Sequence, residues 1–180
     1  MATQTLQERS GAVTFKGGPM TLLGPELKAG DRAPEFHLTA ADLSVKTLDD
    51  VLDHGNRAAL LIVVPSLDTS VCSMESHKFN TRAQELPAGI RAHVVSMDLP
   101  FAQARWAGTE GDVTLEMLSD YRDHSFGMNY GVLIKELGLL ARAIFVIGAD
   151  KQIRYIEIVK EVANEPNYEK AIEAAQAAAK

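Results

Sequence analysis

The stretch AALLIVVPSLDTSVC, residues 58–72, links a predicted strand to a predicted helix and contains Cys72, the only cysteine in the chain. Residues 58–64 are apolar and rich in branched side chains, which predicts a buried central strand that ends at Pro65. Residues 73–86 lack Gly and Pro and place apolar side chains at roughly helical spacing, which predicts a helix. Cys72 is therefore expected in the first turn of that helix, where unpaired N–H groups and the helix dipole favour a thiolate.

Cys72 has two interpretations, because a lone cysteine is most often a small buried hydrophobe. The residues around it are small and polar, which is typical of a loop at the end of a strand: they are Ser66, Asp68, Thr69, Ser70 and Ser73. Thr69 precedes Cys72 by one helical turn, so its hydroxyl can point at the sulfur. The pattern favours a reactive thiol, and a packed thiol in an inert interaction module is the alternative.

The pattern Pro65-x-x-x-Thr69-x-x-Cys72 resembles the active-site loop of the peroxiredoxins. The longer string VPSLDTSVC, residues 64–72, resembles their bacterial thiol peroxidase branch. Further matches extend the resemblance over nearly the whole chain, about residues 11–175: KFN at 78–80, DLPFAQ at 98–103, and ARA at 141–143, which opens a late apolar strand. The resemblance implies an α/β, thioredoxin-like fold, in which helices flank a central mixed sheet and a β-hairpin lies at the N-terminus.

The same resemblance implies a peroxidase whose catalytic residues are Cys72, Thr69, Arg142 and Pro65. The Cys72 thiolate would attack a peroxide and become a sulfenic acid. Thr69 and Arg142 would donate hydrogen bonds to the peroxide oxygens, and Pro65 would shield the sulfur from water. Without the resemblance, Arg142 would be interpreted as a surface arginine, although its neighbours in LLARAIF, residues 139–145, are apolar.

The resemblance also implies the partners of such an enzyme. Its substrates would be hydrogen peroxide and organic hydroperoxides, its reductant thioredoxin or another thiol, and its assembly a homodimer, with no cofactor. A second hypothesis is a peroxide sensor, in which oxidised Cys72 passes the signal to a thiol of a partner protein. Rates of peroxide turnover would separate the enzyme from the sensor.

The resemblance fails at one position, Ala107. In two-cysteine thiol peroxidases a resolving cysteine follows the DLPFAQ string by a few residues and stands just before a glycine. Here residues 105–111, RWAGTEG, keep that frame without the thiol. Either the chain is naturally a one-cysteine protein, or its resolving cysteine has been replaced. The preserved flanking residues favour replacement, and turnover is then expected to be impaired.

Composition and charge limit the function classes. The chain has 180 residues, 46% of them hydrophobic, which suits one globular domain, predicted at residues 13–180 after a flexible N-terminus at residues 1–12. The net charge of −6 argues against nucleic-acid binding, and no apolar run approaches the roughly 18 residues of a membrane span. A single cysteine excludes an intrachain disulfide, and without a signal-peptide pattern the cytoplasm is the expected compartment.

No metal site is expected, because one thiol and scattered histidines form no ligand-like spacing. The histidines concerned are His37, His54, His93 and His124. His77 follows Cys72 by five residues, which places it off the same helical face, and it is interpreted as solvated.

The remaining apolar patterns predict alternating strands and helices followed by a closing helix. Strands are predicted at residues 13–15, 20–23, 35–39, 92–97, 114–118, 139–147 and 153–159, of which the first two and the last two pair as antiparallel hairpins. Helices are predicted at residues 47–52, 101–108 and 121–126, and from Pro166 onward, because proline suits a first helical turn.

Overall fold

The computed structural model describes residues 6–52, 55 and 57–180, so residues 1–5 of the predicted flexible terminus and His54 lie outside the described residues. The strands are β1 (Glu8–Phe15), β2 (Gly18–Leu23), β3 (Leu38–Thr39), β4 (Val45–Lys46), β5 (Ala58–Val63), β6 (Ile90–Ser96), β7 (Glu116–Ser119), β8 (Leu133–Ile134), β9 (Leu139–Leu140), β10 (Ala143–Gly148) and β11 (Ile153–Ile158). The helices are α1 (Leu48–Leu52), α2 (Ser70–Ala83), α3 (Pro100–Glu110), α4 (Ser125–Asn129) and α5 (Tyr168–Ala178).

The larger sheet is mixed and has the strand order β11-β10-β5-β6-β7-β3-β4. Strands β5, β6 and β7 run parallel, because α2 and α3 return the chain to the same edge between successive strands. Strand β10 is antiparallel to both β5 and β11. Every residue of β5 is buried, as expected for a central strand that is covered on both faces.

Apolar side chains fill both faces of this sheet. On one face α2, α3 and α5 contribute Phe79, Trp106 and Ile172 to a common core. On the other face α1 and α4 contribute Leu48 and Phe126, beside the smaller antiparallel sheet β1-β2-β8-β9. The predicted α/β architecture, with helices flanking a central mixed sheet, is confirmed.

The predicted N-terminal hairpin is present, and β1 and β2 pair around a two-residue turn at Lys16 and Gly17. Both turn residues have positive φ angles, 49° and 80°, which give the turn the twist of its strands. Strand β1 begins at Glu8 and not at Val13 as predicted. Its pairing with β2 continues past a register shift near Gly11, where φ is 65° and the strand bulges.

The single strand predicted at residues 139–147 is wrong. It is two strands, β9 in the smaller sheet and β10 in the larger one. Between them Ala141 donates its N–H to the Val132 carbonyl at 2.7 Å, while Val159 donates its N–H to the Arg142 carbonyl at 2.9 Å. The chain thus changes sheets at these two positions, and Arg142 lies in the break.

The helix predicted at residues 121–126 is also wrong, because α4 spans Ser125–Asn129. The buried Asp120 carboxylate accepts hydrogen bonds from the N–H groups of Phe126 (3.0 Å) and Gly127 (2.8 Å). This satisfies N–H groups that lack an intrahelical partner and fixes the start of α4. Gly127, the residue after the predicted helix, therefore lies within α4.

Other boundaries differ by a few residues from the prediction. The strand predicted at residues 35–39 is reduced to Leu38–Thr39. Helix α5 begins at Tyr168 because the Asn167 side chain accepts the Lys170 N–H at 3.0 Å, so Pro166 precedes the helix. Strand β8 was too short to show a periodic pattern.

Candidate active site

Cys72 lies in the first turn of α2, which follows the loop that leaves the carboxyl end of β5. The helix begins at Ser70 with Thr69 as its N-cap, so Cys72 is in the first turn as predicted. The residue is only 1% exposed and belongs to the core that α2, α3 and α5 form against the sheet. Cys72 is thus a buried free thiol at the helix end whose dipole favours a negative charge.

Arg142 brings a positive charge to the sulfur. Ala143 pairs with Val63 at the end of β5, so the break before β10 lies beside the loop that carries Cys72. The Arg142 Nη2 donates to Cys72 Sγ at 3.3 Å, and its Nε donates to the Val162 carbonyl at 3.0 Å. The planar guanidinium donates hydrogen bonds through two of its nitrogens and is 1% exposed, so its orientation relative to the sulfur is fixed. The structure therefore brings Cys72 and Arg142 into contact.

Glu75 is the third member of this cluster. It follows Cys72 by three residues on α2, is 0% exposed, and forms an ion pair through Oε2 with Arg142 Nη1. Its Oε1 atom has no hydrogen-bond partner among the described residues. Burial raises the pKa of Glu75 to about 8, and the nearby Arg142 opposes that rise.

The charge of Arg142 is reinforced by the same neighbours. Burial alone would lower the pKa of its guanidinium, but Glu75 and Cys72 outweigh burial, and the pKa is raised. Arg142 therefore stays protonated in the core of the protein. It is a cation with two acidic neighbours, one a thiol and one a carboxyl.

Sequence reasoning missed Glu75, although the helical periodicity carried a signal for it. Phe79 is one of the apolar residues at helical spacing in the predicted helix 73–86. Glu75 precedes it by four residues and follows Cys72 by three, so the three residues share one helical face. A carboxylate on an inward face requires a buried partner, since acidic side chains are almost never fully buried unpaired.

Pro65 and Thr69 lie on the loop between β5 and α2. Pro65 is buried directly after the strand, whereas Thr69 is exposed. The Thr69 hydroxyl donates to the Ser66 carbonyl at 3.0 Å. Because a hydroxyl has one proton, that proton does not point at Cys72 here, contrary to the expectation from spacing. Thr69 can donate to a bound peroxide only after its hydroxyl rotates away from Ser66.

Asp98 holds this loop from the end of the neighbouring strand. Its carboxylate accepts hydrogen bonds from Ser66 Oγ (2.7 Å), the Leu67 N–H (2.7 Å) and Ser96 Oγ (2.8 Å). The Gln103 Nε2 in turn donates to Ser96 Oγ at 3.0 Å. The first and last residues of the DLPFAQ string therefore anchor the loop that precedes Cys72, a role that the sequence match alone did not indicate.

Ala107 lies on α3, which is joined to the Cys72 region by side chains on either side of it. Trp106 Nε1 donates to Ser73 Oγ at 2.9 Å, and Arg105 forms an exposed ion pair with Asp68 at 3.1 Å. Ala107 itself is half-buried and packs against the core that contains Cys72. The position expected to hold a resolving cysteine is therefore on the helix next to the nucleophile's own.

Two of the histidines that the structure describes lie next to carboxylates. His77 is largely exposed and lies 3.3 Å from the Glu110 carboxylate, while the buried His93 lies 3.0 Å from the Glu116 carboxylate. Across residues 6–52, 55 and 57–180, no group of three or more His, Cys, Asp or Glu side chains is arranged to hold a metal ion. In the same part of the chain, no helix combines the length and apolarity needed to cross a membrane.

Known proteins are similar to this chain in both sequence and fold. The Redoxin family model matches residues 28–172. A thiol peroxidase from Halalkalibacterium halodurans is 54% identical over 93% of this chain and 98% of its own length, and a thiol peroxidase from Bacillus subtilis is 48% identical over 93% and 98%.

Solved structures give the same result. A peroxiredoxin-like protein from Aquifex aeolicus superposes with a TM-score of 0.85 at 39% identity, covering 96% of this chain and 98% of that one. A thiol peroxidase from Chromobacterium violaceum superposes with a TM-score of 0.79 over 92% of this chain and 95% of that one, and at 20% identity it supports the fold alone.

Proposed function

Because the chain belongs to the Redoxin family, as a peroxiredoxin of the thiol peroxidase branch, we propose that it reduces peroxides with Cys72 as the nucleophile. Thiol-dependent peroxide reduction follows from the family, and the residues that perform it are the proposal. The contact between Arg142 Nη2 and Cys72 Sγ at 3.3 Å supports that assignment most directly. A fixed cation beside a buried sulfur favours the thiolate, which is the reactive form.

The first step is attack of the Cys72 thiolate on one oxygen of the peroxide. The O–O bond breaks, the sulfur gains an OH group and becomes a sulfenic acid, and the other oxygen leaves with the electron pair and takes up a proton. The products are the oxidised enzyme and water, or an alcohol when the substrate is an organic hydroperoxide. The sulfur is oxidised by two electrons and the peroxide is reduced by two.

Hydrogen-bond donors fixed around the reacting oxygens lower the barrier, because they stabilise charge as it develops. Arg142 would supply one donor, the Cys72 N–H a second, and the Thr69 hydroxyl a third once it turns from Ser66. Pro65, which is buried on the loop that leads to Cys72, would keep water from the thiolate. No cofactor or metal is required by this chemistry.

Single oxidation of the reduced protein tests the nucleophile. One equivalent of hydrogen peroxide should raise the intact mass by one oxygen, about 16 Da, as the thiol becomes a sulfenic acid. The matched control is Cys72→Ser, which should show no change. An unchanged mass in the folded, reduced protein would overturn the assignment.

Recycling would require a thiol from outside the chain, because Cys72 has no second cysteine to condense with. Thioredoxin or another thiol would serve as reductant, a homodimer would be the assembly, and the cytoplasm the compartment.

We expect Ala107→Cys to restore an internal disulfide if α3 opens locally to bring the two alpha carbons within about 7 Å. Disulfide mapping and thioredoxin-coupled turnover check this, and no bond with unchanged turnover would mark a true one-cysteine enzyme.

The sensor hypothesis is the second candidate. The matched relatives carry the name thiol peroxidase, which favours the enzyme over the sensor. Steady peroxide turnover with an added small thiol would support the enzyme, whereas a single oxidation event followed by transfer to one partner protein would support the sensor.

A further inference from the structure

The cluster around Cys72 holds one cation and two acids. Arg142 donates through Nη2 to the Cys72 sulfur at 3.3 Å and forms an ion pair through Nη1 with the Glu75 carboxylate. All three residues are at most 1% exposed. With Arg142 protonated, the cluster is neutral when one acid is ionised and carries a net negative charge when both are. A buried net charge is costly, because burial removes hydration that only an opposite charge can replace.

Within residues 6–52, 55 and 57–180, the other groups that act on Glu75 do not supply a second positive charge. Glu157 and Glu165 are both acidic and raise its pKa further, and Tyr168 is a neutral phenol. Lys78 is held by Glu165, with 2.6 Å between Nζ and Oε2. The surroundings therefore disfavour a second anion beside Arg142.

The Oε1 atom of Glu75, which has no hydrogen-bond partner among the described residues, also favours a protonated carboxyl. A carboxylate spreads its charge over both oxygens, so a buried carboxylate with one oxygen lacking a donor loses hydration without compensation. A protonated carboxyl carries no net charge, so burying one of its oxygens without a hydrogen-bond donor costs less free energy. The geometry is thus better suited to a carboxyl that can hold a proton than to a permanent carboxylate.

We propose that Cys72 and Glu75 share one negative charge against Arg142, so that Glu75 holds a proton when Cys72 is a thiolate and releases it when the sulfur is oxidised. The proposal rests on Cys72 being the nucleophile. Glu75 acts through Arg142 and is a positioning residue, because it does not touch the reacting oxygens. Its carboxyl keeps the guanidinium partnered in every state of the sulfur.

The reaction balances on these terms. A thiolate, a peroxide ROOH and a protonated Glu75 give a sulfenic acid, an alcohol ROH and a Glu75 carboxylate. Glu75 releases one proton and the leaving oxygen takes up one, so the number of protons in solvent does not change. One negative charge is present before and after, and Arg142 always faces one anion.

The proposal predicts how many protons the protein takes up from solvent when Cys72 is oxidised. A thiolate that reacts alone takes up about one proton from solvent when it becomes a neutral sulfenic acid, because the leaving oxygen must be protonated. If Glu75 supplies that proton, uptake from solvent falls to about zero. The count is the same if the shared charge rests partly on Glu75 before the reaction, since the total does not change.

The experiment measures solvent protons during one oxidation of the reduced full chain. A pH indicator in weak buffer near pH 7 follows proton uptake after one equivalent of hydrogen peroxide, and mass spectrometry on the same sample counts sulfenic acid. We expect about zero protons per oxidised Cys72 in the unaltered protein and about one in Glu75→Gln, in which the amide cannot give up a proton. Thiolate absorbance near 240 nm verifies that Cys72 is ionised in both proteins before peroxide is added.

Glu169→Gln is the matched control, because Glu169 is an exposed carboxylate that pairs with Arg82 and not with the Cys72 cluster, and this variant should behave as the unaltered protein. Uptake of about one proton by the unaltered protein would overturn the proposal, even if Glu75→Gln failed to fold. Equal counts in the unaltered protein and Glu75→Gln would overturn it as well. Absence of any sulfenic acid would instead refute Cys72 as the nucleophile, which keeps the two failures distinct.

Discussion

Glu75 and Asp120 are both buried acids with 0% exposure, yet their surroundings differ. Asp120 accepts hydrogen bonds from two backbone N–H groups at the start of α4, which are neutral and fixed. Glu75 faces the guanidinium of Arg142, and that guanidinium also binds the Cys72 sulfur. Burial raises the pKa of Asp120 to about 6 and that of Glu75 to about 8. An acid satisfied by amides holds a helix in place, whereas an acid that shares a cation with a thiol can take part in the chemistry.

The largest expected effect comes from removing the shared cation. Arg142→Met should slow Cys72 oxidation by about 100-fold or more, as loss of a strong transition-state donor commonly does. It also leaves Glu75 buried without a counter-charge and should destabilise the fold. Stopped-flow fluorescence of Trp106, whose indole donates to Ser73 beside Cys72, can follow the rate.

The control for that substitution is the double variant Arg142→Met with Glu75→Gln. It removes the stranded carboxyl and should recover stability without recovering the rate. Near-normal oxidation in a folded Arg142→Met protein would mean that Arg142 is only a structural cation.

The next largest effect is expected in the pH dependence of the free energy of unfolding. Asp120 has a folded pKa of about 6, above the unfolded value near 3.9, so the native state keeps a proton that the unfolded state has lost. Its contribution to stability is fully present below about pH 4 and is lost as pH rises towards 6, by at most about 1.4 kcal/mol per unit. At Glu75 the proton that the native state keeps is offset by the proton that the Cys72 thiolate has given up, so the pair adds no such loss near neutral pH.

Urea unfolding between about pH 4 and 8 separates the two acids. Asp120→Asn should reduce the fall in stability between about pH 4 and 6. Glu75→Gln leaves a native Cys72 thiolate where the unfolded thiol keeps its proton, so its stability should rise with pH between about pH 6 and 8 relative to the unaltered protein. Parallel curves for Glu75→Gln and the unaltered protein in that upper range would show that Cys72 and Glu75 do not share a charge.

A smaller effect is expected from Asp120→Asn at neutral pH. The amide oxygen can accept one backbone N–H and leaves the other without its acceptor, so the free energy of unfolding should fall by about 1–3 kcal/mol. The rate of peroxide reduction should stay within a factor of about two, because Asp120 does not belong to the Cys72 cluster. A rate loss as large as that of Arg142→Met would erase the contrast between the two acids.

The smallest effect is expected at the surface. Arg105 and Asp68 form an ion pair between α3 and the Cys72 loop, but both side chains are about two-thirds exposed, at 67% and 64%. Arg105→Gln should change stability by less than about 1 kcal/mol, because water and salt screen exposed pairs. Thermal unfolding at low and high salt checks this, and a loss above that limit would mean that the pair holds α3 in place.

The sequence predicted the parts of the site that local patterns encode. The apolar run of β5, the proline that ends it and the polar loop beyond it placed Cys72 in a first helical turn. The predicted role of Arg142 came from resemblance. Its approach to the sulfur depends on β10 pairing with β5, a contact between segments that are far apart in the chain.

The parts that could not be predicted depend on tertiary contacts. The split between β9 and β10 follows from each segment pairing in a different sheet, which no run of apolar residues reveals. The start of α4 is fixed by the buried Asp120 carboxylate, whereas the sequence pattern predicted that this helix begins four residues earlier, at residue 121. The ion pair of Glu75 arises only because α2 and the strand break meet, and the rotation of the Thr69 hydroxyl toward Ser66 is a local choice that spacing cannot decide.

The most direct test of Cys72 as an assisted nucleophile is the second-order rate constant for its oxidation by hydrogen peroxide, compared with that of a free cysteine thiolate under the same conditions. We expect Cys72 to react at least about 100-fold faster, because Arg142 and the backbone N–H stabilise the developing charge beyond what ionisation alone provides. A rate equal to that of the free thiolate would contradict it, since Cys72 would then be an ionised thiol in a core that gives the peroxide no assistance.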